Sequence, residues 1–581
     1  MEQWQLYCKK ADFADLGRKF NISPMLARII RNRGMVSEEE FRRYLHADIN
    51  DLYDPFLLKG MDAGVWFLHD AVQKGKRIRI IGDYDVDGIC ASLILKKFID
   101  SLGAEVDVRL PDRMSEGYGM NSSMIEEAKA DNVSLIITCD NGISAVEAIA
   151  KAKEYGIEII VTDHHEPLDL LPDADVIIDP KQKDCPYPFK EICGASVAYK
   201  LVLGYNSFYA AKKEELLDEL LEWAGMATIA DIVPLIDENR IIASEGIKRL
   251  KKTNNTGLNA LIRTREIKKE DVNSYHVGFI LGPAINSAGR LENAMTAFKL
   301  FMTESLQEAE EISVKLSRLN DERKYLTQVQ EGLAVKYIKK QIEDGAGTDK
   351  VLVLFLPDAH ESVAGIVAGR IKDDFNRPAI VVTRSEEGLK GSGRSIDGYN
   401  MIEALNSIPE FFTKFGGHSK ACGFSLKMNG TEENTVAAFR KKLNEHCNIS
   451  DSDLVKKIWI DMQLPFRYVT EEFTEELLKL EPFGLKNEKA VFAEKNVKVL
   501  HANVLGKNYN VLKLDMEDQK GSRLTGIKFL KDENAFELLD EIKENPLINI
   551  LYYPAVNEFR GIKSMQAVIQ SLKIVKPCDI L

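Results

Sequence analysis

The stretch RIRIIGDYDVDGICASLIL, residues 77–95, decides the fold of the first half of this chain. Its apolar, β-branched start is typical of a buried strand, and the segment after GDYDVD has the composition and spacing of a helix. Between the two, Asp83, Asp85 and Asp87 occupy alternate positions. Carboxylates repel one another, so three of them at the end of a strand indicate that something positive binds there.

The same alternation continues outward from this stretch to about residue 180. Apolar strand patterns (AEVDV, VSLIITC, IEIIVT, ADVIID) alternate with helical patterns (MIEEAKADN, AVEAIAKAKEYG). This order predicts βαβ units and a buried parallel sheet. Ligands of such sheets gather at the carboxyl ends of the strands. We therefore expect polar residues that follow these strands to share one site.

The three aspartates are the first such cluster. On an extended chain, residues i, i+2 and i+4 point to one side, so Asp83, Asp85 and Asp87 are predicted to converge on a multivalent cation. A calcium loop of the EF-hand type is one alternative. It requires a glutamate where the chain has Ile94, and an entering helix where the chain has a strand. A second alternative, a set of solvated aspartates in a loop, remains open.

Two more clusters end strands of the same region. Asp140 follows the apolar run in IITCDNG, where the alternative is a helix N-cap. IIVTDHH ends in Asp163, His164 and His165. Neighbouring residues on a strand face opposite ways, so we expect one imidazole to bind metal and the other to face the substrate. Asp231, in TIADIVPL, is a further candidate ligand.

Together these clusters offer at least four carboxylates and an imidazole. That mixture suits two dications, manganese better than calcium. Two ions about 3.5–4 Å apart activate a water and stabilise both the attacking and the leaving oxygen of a phosphoryl displacement. Metal-assisted hydrolysis of a phosphoester is therefore the predicted chemistry.

The rest of the chain predicts further domains. A helical segment covers about 194–263, and residues 304–344 contain no proline and one glycine, which predicts a long linking helix. Its basic residues, Arg323 among them, are interpreted as a solvated face. A second α/β unit follows at about 350–445, and short alternating strands such as NVLKLDM and INILYY predict a small terminal β-domain, for which a barrel is one arrangement.

Composition limits the alternatives. A chain of 581 residues exceeds one hydrophobic core, so three or more domains are expected. The eight cysteines form no C-x-x-C pair. No secretory leader and no apolar run of membrane-spanning length are present, which predicts a cytoplasmic protein without a membrane partner. The net charge of −13 argues mildly against nucleic acid, yet bound dications reverse the field of an acidic site.

At this point the sequence resembles the DHH phosphoesterase superfamily and, within it, the RecJ family of single-strand-specific exonucleases. The resemblance rests on GDYDVDG, CDNGIS, VTDHH, CPYPFKEICGASVAYKL, ATIADIVPL, INSAGRLENA, HESVAGIVAGRI, GSGRSI, FGGHSKACG and EPFGLKNEKAVF, which occur in this order from about residue 60 to 575. It implies five segments: an N-terminal helical segment, a DHH catalytic domain, a linking helix, a DHH-associated domain and an OB-fold domain, at 1–60, 61–300, 301–348, 349–448 and 449–581.

The resemblance also implies roles for individual residues. Its metal ligands are Asp83, Asp85, Asp87, Asp140, His164 and Asp231. Asp140 is placed to bridge the ions, His165 faces the scissile phosphate, and Asp163 orients an imidazole, so these three count as catalytic. The implied DNA contacts are Arg113, Arg290, Ser392, Arg394 and His418.

The activity implied by the resemblance is stepwise 5′ to 3′ hydrolysis of single-stranded DNA to 5′-mononucleotides, with two Mn²⁺ or Mg²⁺ ions, in DNA repair and recombination. The implied partners are single-strand-binding protein and a helicase, and a monomer is expected. The alternative is another DHH phosphodiesterase, acting on short RNA or cyclic dinucleotides. A catalytically dead scaffold would have lost metal ligands, and here all of them are present.

Two positions depart from the family pattern. Ala284 stands where arginine is frequent, which removes one expected phosphate contact. Asp179 stands where asparagine is common, which adds a negative charge near the predicted site. Neither removes a metal ligand, so the predicted chemistry is retained.

Overall fold

The protein is described from a computed structural model, which covers residues 2–113, 115–343, 349–386, 388–530, 535–559 and 561–575. The chain divides into two compact units. The first contains Tyr53–Val233 and Glu245–Lys456, and the second contains Glu2–Leu52, Pro234–Ser244 and Lys457–Leu581. The catalytic chemistry predicted above falls in the first unit.

The N-terminal segment consists of one strand and three short helices: β1 (Glu2–Leu6), α1 (Phe13–Phe20), α2 (Pro24–Asn32) and α3 (Glu38–His46). Helix α3 begins with a capping box. The Ser37 hydroxyl accepts the backbone N–H of Glu40, and the Glu40 carboxylate accepts the backbone N–H of Ser37. Leu26, Ile29 and Phe41 are fully buried in the apolar core of the second unit.

A five-stranded parallel sheet is the centre of the first unit, with strand order β3-β2-β4-β5-β6. Its elements are α4 (Met61–Gln73), β2 (Ile78–Ile81), α5 (Val86–Ser101), β3 (Val106–Arg109), α6 (Ser122–Ala130), β4 (Leu135–Cys139), α7 (Val146–Glu154), β5 (Glu158–Thr162), β6 (Val176–Ile178) and α8 (Gly194–Tyr209). Strands β2 and β4 are buried along their whole length because helices cover both faces. The parallel sheet predicted from the sequence is confirmed.

Helices follow the sheet, as expected. They are α9 (Glu214–Ala230), α10 (Asp237–Leu250), α11 (Thr256–Thr264), α12 (Ser274–His276), α13 (Gly282–Leu291) and α14 (Met295–Met302). A π-helical segment, Val277–Leu281, joins α12 to α13. The linking segment is one helix, α15 (Leu306–Glu343), 38 residues long. Within the described residues, no helix combines the length and apolarity needed to cross a bilayer.

The second α/β region has a mixed five-stranded sheet of order β10-β11-β9-β8-β7. Its elements are β7 (Leu352–Phe355), α16 (Glu361–Phe375), β8 (Ala379–Ser385), β9 (Gly388–Arg394), α17 (Met401–Asn406), β10 (Phe412–Gly417), β11 (Ala421–Leu426) and α18 (Glu432–Glu445). Only β7 and β8 are parallel. Because Gly391 of β9 has no Cβ, the Phe424 ring of β11 can lie directly over β9. A Cβ at position 391 would lie 2.1 Å from that ring.

The C-terminal region is mostly β-structure, with β12 (Lys456–Ile460), β13 (Met462–Gln463), α19 (Glu471–Leu477), β14 (Phe492–Leu505), β15 (Val511–Glu517), β16 (Arg523–Phe529), α20 (Ala535–Glu544), β17 (Leu547–Phe559) and β18 (Ile562–Ile574). Strands β14, β15, β16, β18 and β17 pair in that order, and β17 pairs back to β14. A closed circuit of five strands is the connectivity that a barrel requires. The predicted barrel stays a prediction, which this connectivity supports.

Candidate metal centre and active site

The acidic residues predicted as ligands meet at the carboxyl end of the parallel sheet. Their ligand atoms form three overlapping groups: Asp83 with Asp85 and Asp140, Asp87 with His164 and Asp231, and Asp140 with His164 and His165. Within each group the atoms lie within 4.8 Å of one another. All six predicted metal ligands therefore belong to one continuous cluster, and Asp140 belongs to two of its groups.

The prediction that Asp83, Asp85 and Asp87 converge along an extended strand is wrong. Strand β2 ends at Ile81 and α5 begins at Val86, so the chain is not extended through Asp87. Asp85 is instead the N-cap of α5, where its side chain accepts the N–H groups of Asp87 and Gly88 at 2.9 and 3.2 Å. The turn sends Asp83 and Asp85 to one metal group and Asp87 to another.

Asp87 is held by the start of a second helix. Its two carboxylate oxygens accept the backbone N–H groups of Gly194 and Ala195, at 2.6 and 2.7 Å, in the first turn of α8. A helix N-terminus favours negative charge, which orients this ligand. Even so, burial and the charge of Asp85 raise the pKa of Asp87 to about 6.

Asp140 carries backbone strain. It has a φ of 61°, in the left-handed region that few non-glycine residues adopt, although aspartate tolerates it better than most. Gly194 makes room for it, since a Cβ at that position would lie 2.6 Å from the Cβ of Asp140. Strain of this kind, about 1–3 kcal/mol, is typical of functional sites. The strained turn places the Asp140 carboxylate between Asp83 and Asp85 on one side and the two histidines on the other.

The electrostatics of the cluster fit bound cations. Burial and the neighbouring carboxylates raise the pKa values of Asp83, Asp140 and Asp231 well above their ordinary range. The buried Oδ1 of Asp83 accepts no hydrogen bond from any described residue. A buried carboxylate oxygen without a donor is costly, and a dication compensates for it directly. The residues present therefore fit a pair of dications.

The two histidines differ in protonation. Burial and the charge of His165 lower the pKa of His164 to about 3, so its imidazole is neutral, as a metal ligand must be. Its Nε2 lies 3.1 Å from Asp140, 3.6 Å from Asp87 and 3.8 Å from Asp231. Burial lowers the pKa of His165, but its bond to Asp163 outweighs that effect and raises the pKa to about 9.

Asp163 organises both imidazoles. Its Oδ1 accepts the N–H groups of His164 and His165 and the Nδ1–H of His165, at 2.7, 3.2 and 2.8 Å. Although burial raises its pKa, the hydrogen bond and charge of His165 lower it below the ordinary value overall. Both rings lie beside Asp140, with centroids 4.5 Å apart. The expectation that they face opposite ways is wrong, because strand β5 ends at Thr162, before them.

Tyr118 is a site residue that the sequence reasoning missed. Its hydroxyl donates to the carbonyl oxygen of Asp140 at 2.9 Å and lies 3.1 Å from Nδ1 of His165. The only sequence signal was an aromatic residue in the glycine-flanked GYG that follows β3. Arg323 was also misread: it is 9% exposed, not part of a solvated face, and bonds to Asn320.

The predicted substrate-binding residues lie beside this cluster. A cavity of about 410 Å³ is lined by Tyr84, Arg113 and Tyr118 from the first sheet's loops and by Ser392 and Lys390 from β9. The Arg113 guanidinium lies 5.0 Å from the Tyr84 ring centroid. A Cβ at Gly365 of α16, which also lines the cavity, would lie 2.8 Å from Ser392 Oγ and 3.0 Å from Arg394 Nη2, so Arg394 lies next to the residues that line the cavity.

The remaining two positions also join this region. Arg290 donates to the Ser362 carbonyl at 3.1 Å, and burial together with the charge of Arg113 lowers its pKa to about 9. The His418 ring lies 6.4 Å from that of His165 and nearly parallel to it. Among the described residues, Arg113, Arg290 and Arg394 have no carboxylate partner within ion-pair distance. Unpaired, partly buried guanidinium groups suit an anionic ligand.

The comparisons with known proteins agree with this geometry. Family models match the DHH family N-terminal domain at residues 77–228, the DHHA1 domain at 348–448 and the RecJ OB domain at 460–571. The single-stranded-DNA-specific exonuclease RecJ of Bacillus subtilis is 36% identical, over 98% of this chain and 71% of its own length. The chain belongs to the RecJ family.

One further RecJ protein matches over nearly its full length, and a RecJ crystal structure matches over most of its chain. The Escherichia coli single-stranded-DNA-specific exonuclease RecJ is 32% identical over 98% of this chain and 99% of its own. The crystal structure of Thermus thermophilus RecJ in complex with Mn²⁺ has a TM-score of 0.83 and 25% identity, and covers 99% of this chain and 80% of that one. The RecJ fold therefore extends over the whole chain.

Asp179, the departure from the family pattern, is a buried carboxyl at the end of β6. Its Oδ1 accepts the N–H of Lys181 at 2.7 Å, while its buried Oδ2 has no partner among the described residues. Burial and the charge of Asp163 raise its pKa to about 8. Because the folded pKa exceeds the unfolded one, this carboxyl lowers stability as the pH rises toward about 8.

Asp179→Asn is therefore expected to stabilise the protein at high pH. The gain should be near zero below pH ~4, where both states are protonated, and should reach at most about 6 kcal/mol above pH ~8. Urea unfolding of the parent and the variant at several pH values measures it. Asp173→Asn, at an exposed position, is the control. A difference between Asp179→Asn and the parent that does not change with pH would contradict the buried, unpaired carboxyl.

Proposed function

We propose that this chain is a single-stranded-DNA-specific 5′ to 3′ exonuclease that releases 5′-mononucleotides by phosphodiester hydrolysis with two Mn²⁺ or Mg²⁺ ions. The observation that carries the proposal is the junction of an acidic cluster, suited to metal binding, with a cavity that Arg113 lines and Arg394 adjoins, neither of which has a carboxylate partner among the described residues. The relatives named as single-stranded-DNA-specific exonucleases and the Mn²⁺-bound structure of T. thermophilus RecJ support it.

In this proposal the ligands divide into two groups. Asp83 and Asp85 would hold one ion and Asp87, His164 and Asp231 the other, while Asp140, which lies close to Asp83, Asp85 and His164, could contribute to both. When bound, such ions supply an activated water and stabilise charge on the attacking and leaving oxygens.

The protein's own residues do the rest. His165, protonated through its bond to Asp163, donates a hydrogen bond to the scissile phosphate where negative charge develops. Tyr118 holds the ring of His165 and the backbone of Asp140 in position. Arg113, Ser392 and Arg394 bind the 5′ phosphate, and Arg290 and His418 contact the strand. This assignment explains why Arg113, Arg290 and Arg394 have no carboxylate partner in the described part of the chain.

The wider proposal follows the family. It gives a cytoplasmic monomer that acts in DNA repair and recombination with single-strand-binding protein and a helicase. The domain boundaries proposed are 1–60, 61–300, 301–348, 349–448 and 449–581, and the matches of the three family models support the presence of a DHH, a DHH-associated and an OB domain in the regions 61–300, 349–448 and 449–581.

Digestion of end-labelled, 5′-phosphorylated single-stranded DNA with Mn²⁺ tests the proposal. Mononucleotides should be released from the 5′ end, while duplex DNA, RNA and cyclic dinucleotides should react much more slowly. The alternative, another DHH phosphodiesterase, predicts the reverse preference. Faster hydrolysis of short RNA or of a cyclic dinucleotide, or release of products from the 3′ end, would contradict the proposal.

Arg394→Ala is expected to weaken binding of 5′-phosphorylated strands selectively. Loss of a charge-assisted hydrogen bond should raise KM for a 5′-phosphorylated strand about tenfold or more and should leave a 5′-hydroxyl strand nearly unaffected. Arg384→Ala is the matched control, because Arg384 lies on neighbouring β8, is 51% exposed and pairs with Glu432. Equal effects of Arg394→Ala on both strands would exclude a phosphate-reading role.

A further inference from the structure

Two exposed aromatic side chains near the active site, Tyr275 and Phe279, have no role in the proposed mechanism. Tyr275 and Phe279 lie one helical turn apart, and their side chains are 60% and 69% exposed. Their rings stack with centroids 5.3 Å apart and planes 24° from parallel. Single exposed aromatics are common on protein surfaces. An exposed, stacked pair presents a flat aromatic surface large enough for a planar ligand.

The backbone beneath this pair is unusual. Phe279 lies in the π-helical segment Val277–Leu281, and π-helical turns occur frequently at functional sites. Two glycines attach the segment to the last turn of α9. A Cβ at Gly278 would lie 3.7 Å from Ile229, and a Cβ at Gly282 would lie 3.2 Å from the Cβ of Ala230. The aromatic pair is thus anchored one residue before the metal ligand Asp231.

Ile232, which follows Asp231, adds a third exposed apolar side chain. It has a φ of 60°, which for a β-branched residue is a strained conformation, and it is 68% exposed. Such strain costs about 1–3 kcal/mol and persists mainly at functional sites. A large apolar side chain held out to solvent beside a metal ligand contributes little to the core. We call the stacked pair Tyr275 and Phe279 the aromatic ledge.

The segment that carries the ledge packs beside one end of the metal cluster, and the cavity lined by Arg113 adjoins the other end. Asp231, beside the ledge, groups with Asp87 and His164. Arg113 instead stacks on Tyr84, which lies between Asp83 and Asp85. If the 5′ phosphate occupies the cavity, the scissile bond lies over the metal cluster. The remaining strand then leaves toward the ledge.

We propose that the aromatic ledge stacks nucleobases of the single strand on the 3′ side of the scissile phosphate. This inference rests on the proposed function and names the group that holds the uncleaved part of the substrate. Aromatic stacking tolerates any sequence because every base has a π-face, and it requires bases that are not paired. The ledge therefore favours single strands over duplexes without selecting a sequence.

The test compares ordinary and abasic substrates. Tyr275→Leu/Phe279→Leu keeps apolar side chains but removes both rings. Removal of a base–aromatic stack should raise KM for a 5′-phosphorylated strand about tenfold, with little change in kcat. For a strand whose bases after the first nucleotide are replaced by abasic sites, KM of the parent should already be high. The double variant should not raise that KM further.

Controls keep the outcomes distinct. Phe208→Leu removes a ring of similar exposure, 66%, at the far end of α8, about 20 Å along the helix from Gly194, and should leave KM unchanged. If the double variant does not fold, Tyr275→Leu and Phe279→Leu separately carry the test. Equal increases in KM on ordinary and abasic strands, or no increase on either, would overturn the inference. Failure of the parent to cleave any single strand would instead overturn the proposed function.

Discussion

Asp140→Asn is expected to reduce kcat on single-stranded DNA by about 10³-fold or more, while the protein stays folded. Asp140 belongs both to the group with Asp83 and Asp85 and to the group with His164 and His165, so its loss should disturb both proposed ions at once. Several kcal/mol of transition-state stabilisation are expected from such ions, and about 4 kcal/mol corresponds to 10³-fold in rate. Asparagine tolerates the left-handed backbone of this position, so the turn should be retained.

The same variant should be more stable than the parent when metal is absent. Burial and the charges of Asp87 and Asp85 raise the pKa of Asp140, which means that its ionised form destabilises the metal-free fold. Asp140→Asn removes that charge, so its urea midpoint at pH ~8 in a chelator should exceed that of the parent. Asp169→Asn, at an exposed position of the loop after His165, should change neither property. Comparable kcat for Asp140→Asn and the parent would contradict a shared ligand.

Metal removal should abolish activity and make stability strongly dependent on pH. The folded pKa values of Asp83, Asp140 and Asp231 are raised, mainly by burial. The folded state therefore binds more protons than the unfolded chain, and the stability of the metal-free protein falls as the pH rises through those folded pKa values. Each unit of pKa shift corresponds to about 1.4 kcal/mol.

The two histidines contribute with opposite signs. His165, with its pKa raised to about 9, adds stability that is lost as the pH rises through that value. The pKa of His164 is lowered to about 3 in the folded state, so the protein loses stability as the pH falls below the pKa of His164 in the unfolded chain. The carboxylates outnumber His164, so the net stability of the metal-free protein should decrease between pH ~5 and ~9.

Urea unfolding across this pH range, with a chelator or with Mn²⁺, measures the effect. Bound Mn²⁺ neutralises the carboxylates, so it should remove most of the pH dependence and add about 2.7 kcal/mol for each site at a concentration 100 times the Kd. Asp140→Asn should show a smaller pH dependence in the chelator. A midpoint that is independent of both pH and Mn²⁺ would contradict the buried acidic cluster.

Much of the fold and of the metal site could be predicted from the sequence, because both follow from local periodicity. Apolar runs such as IITC ended at polar residues, and parallel strands bring those ends to one edge of a sheet. Residue types at the strand ends supplied candidate ligands, and the resemblance to the family supplied the full set, including Asp231. Their grouping followed from neither, since it depends on where α5 begins: the N-cap role of Asp85 turns the chain and separates Asp87 from Asp83.

The residues that were missed act through contacts distant in sequence. The Tyr118 hydroxyl contacts Asp140 and His165, which lie 22 and 47 residues further along the chain. No periodicity in the sequence encodes such contacts. Arg323 lies on a long helix whose polar composition suggested a solvated face, and tertiary packing buries it. The backbone conformations of Asp140 and Ile232 are likewise set by neighbouring elements rather than by local preference.

Anomalous scattering from crystals grown with Mn²⁺ tests the central claim most directly. The account predicts two manganese peaks for each chain, one held by Asp83, Asp85 and Asp140, the other by Asp87, His164, Asp231 and Asp140. A single peak, or manganese bound away from these side chains, would contradict it.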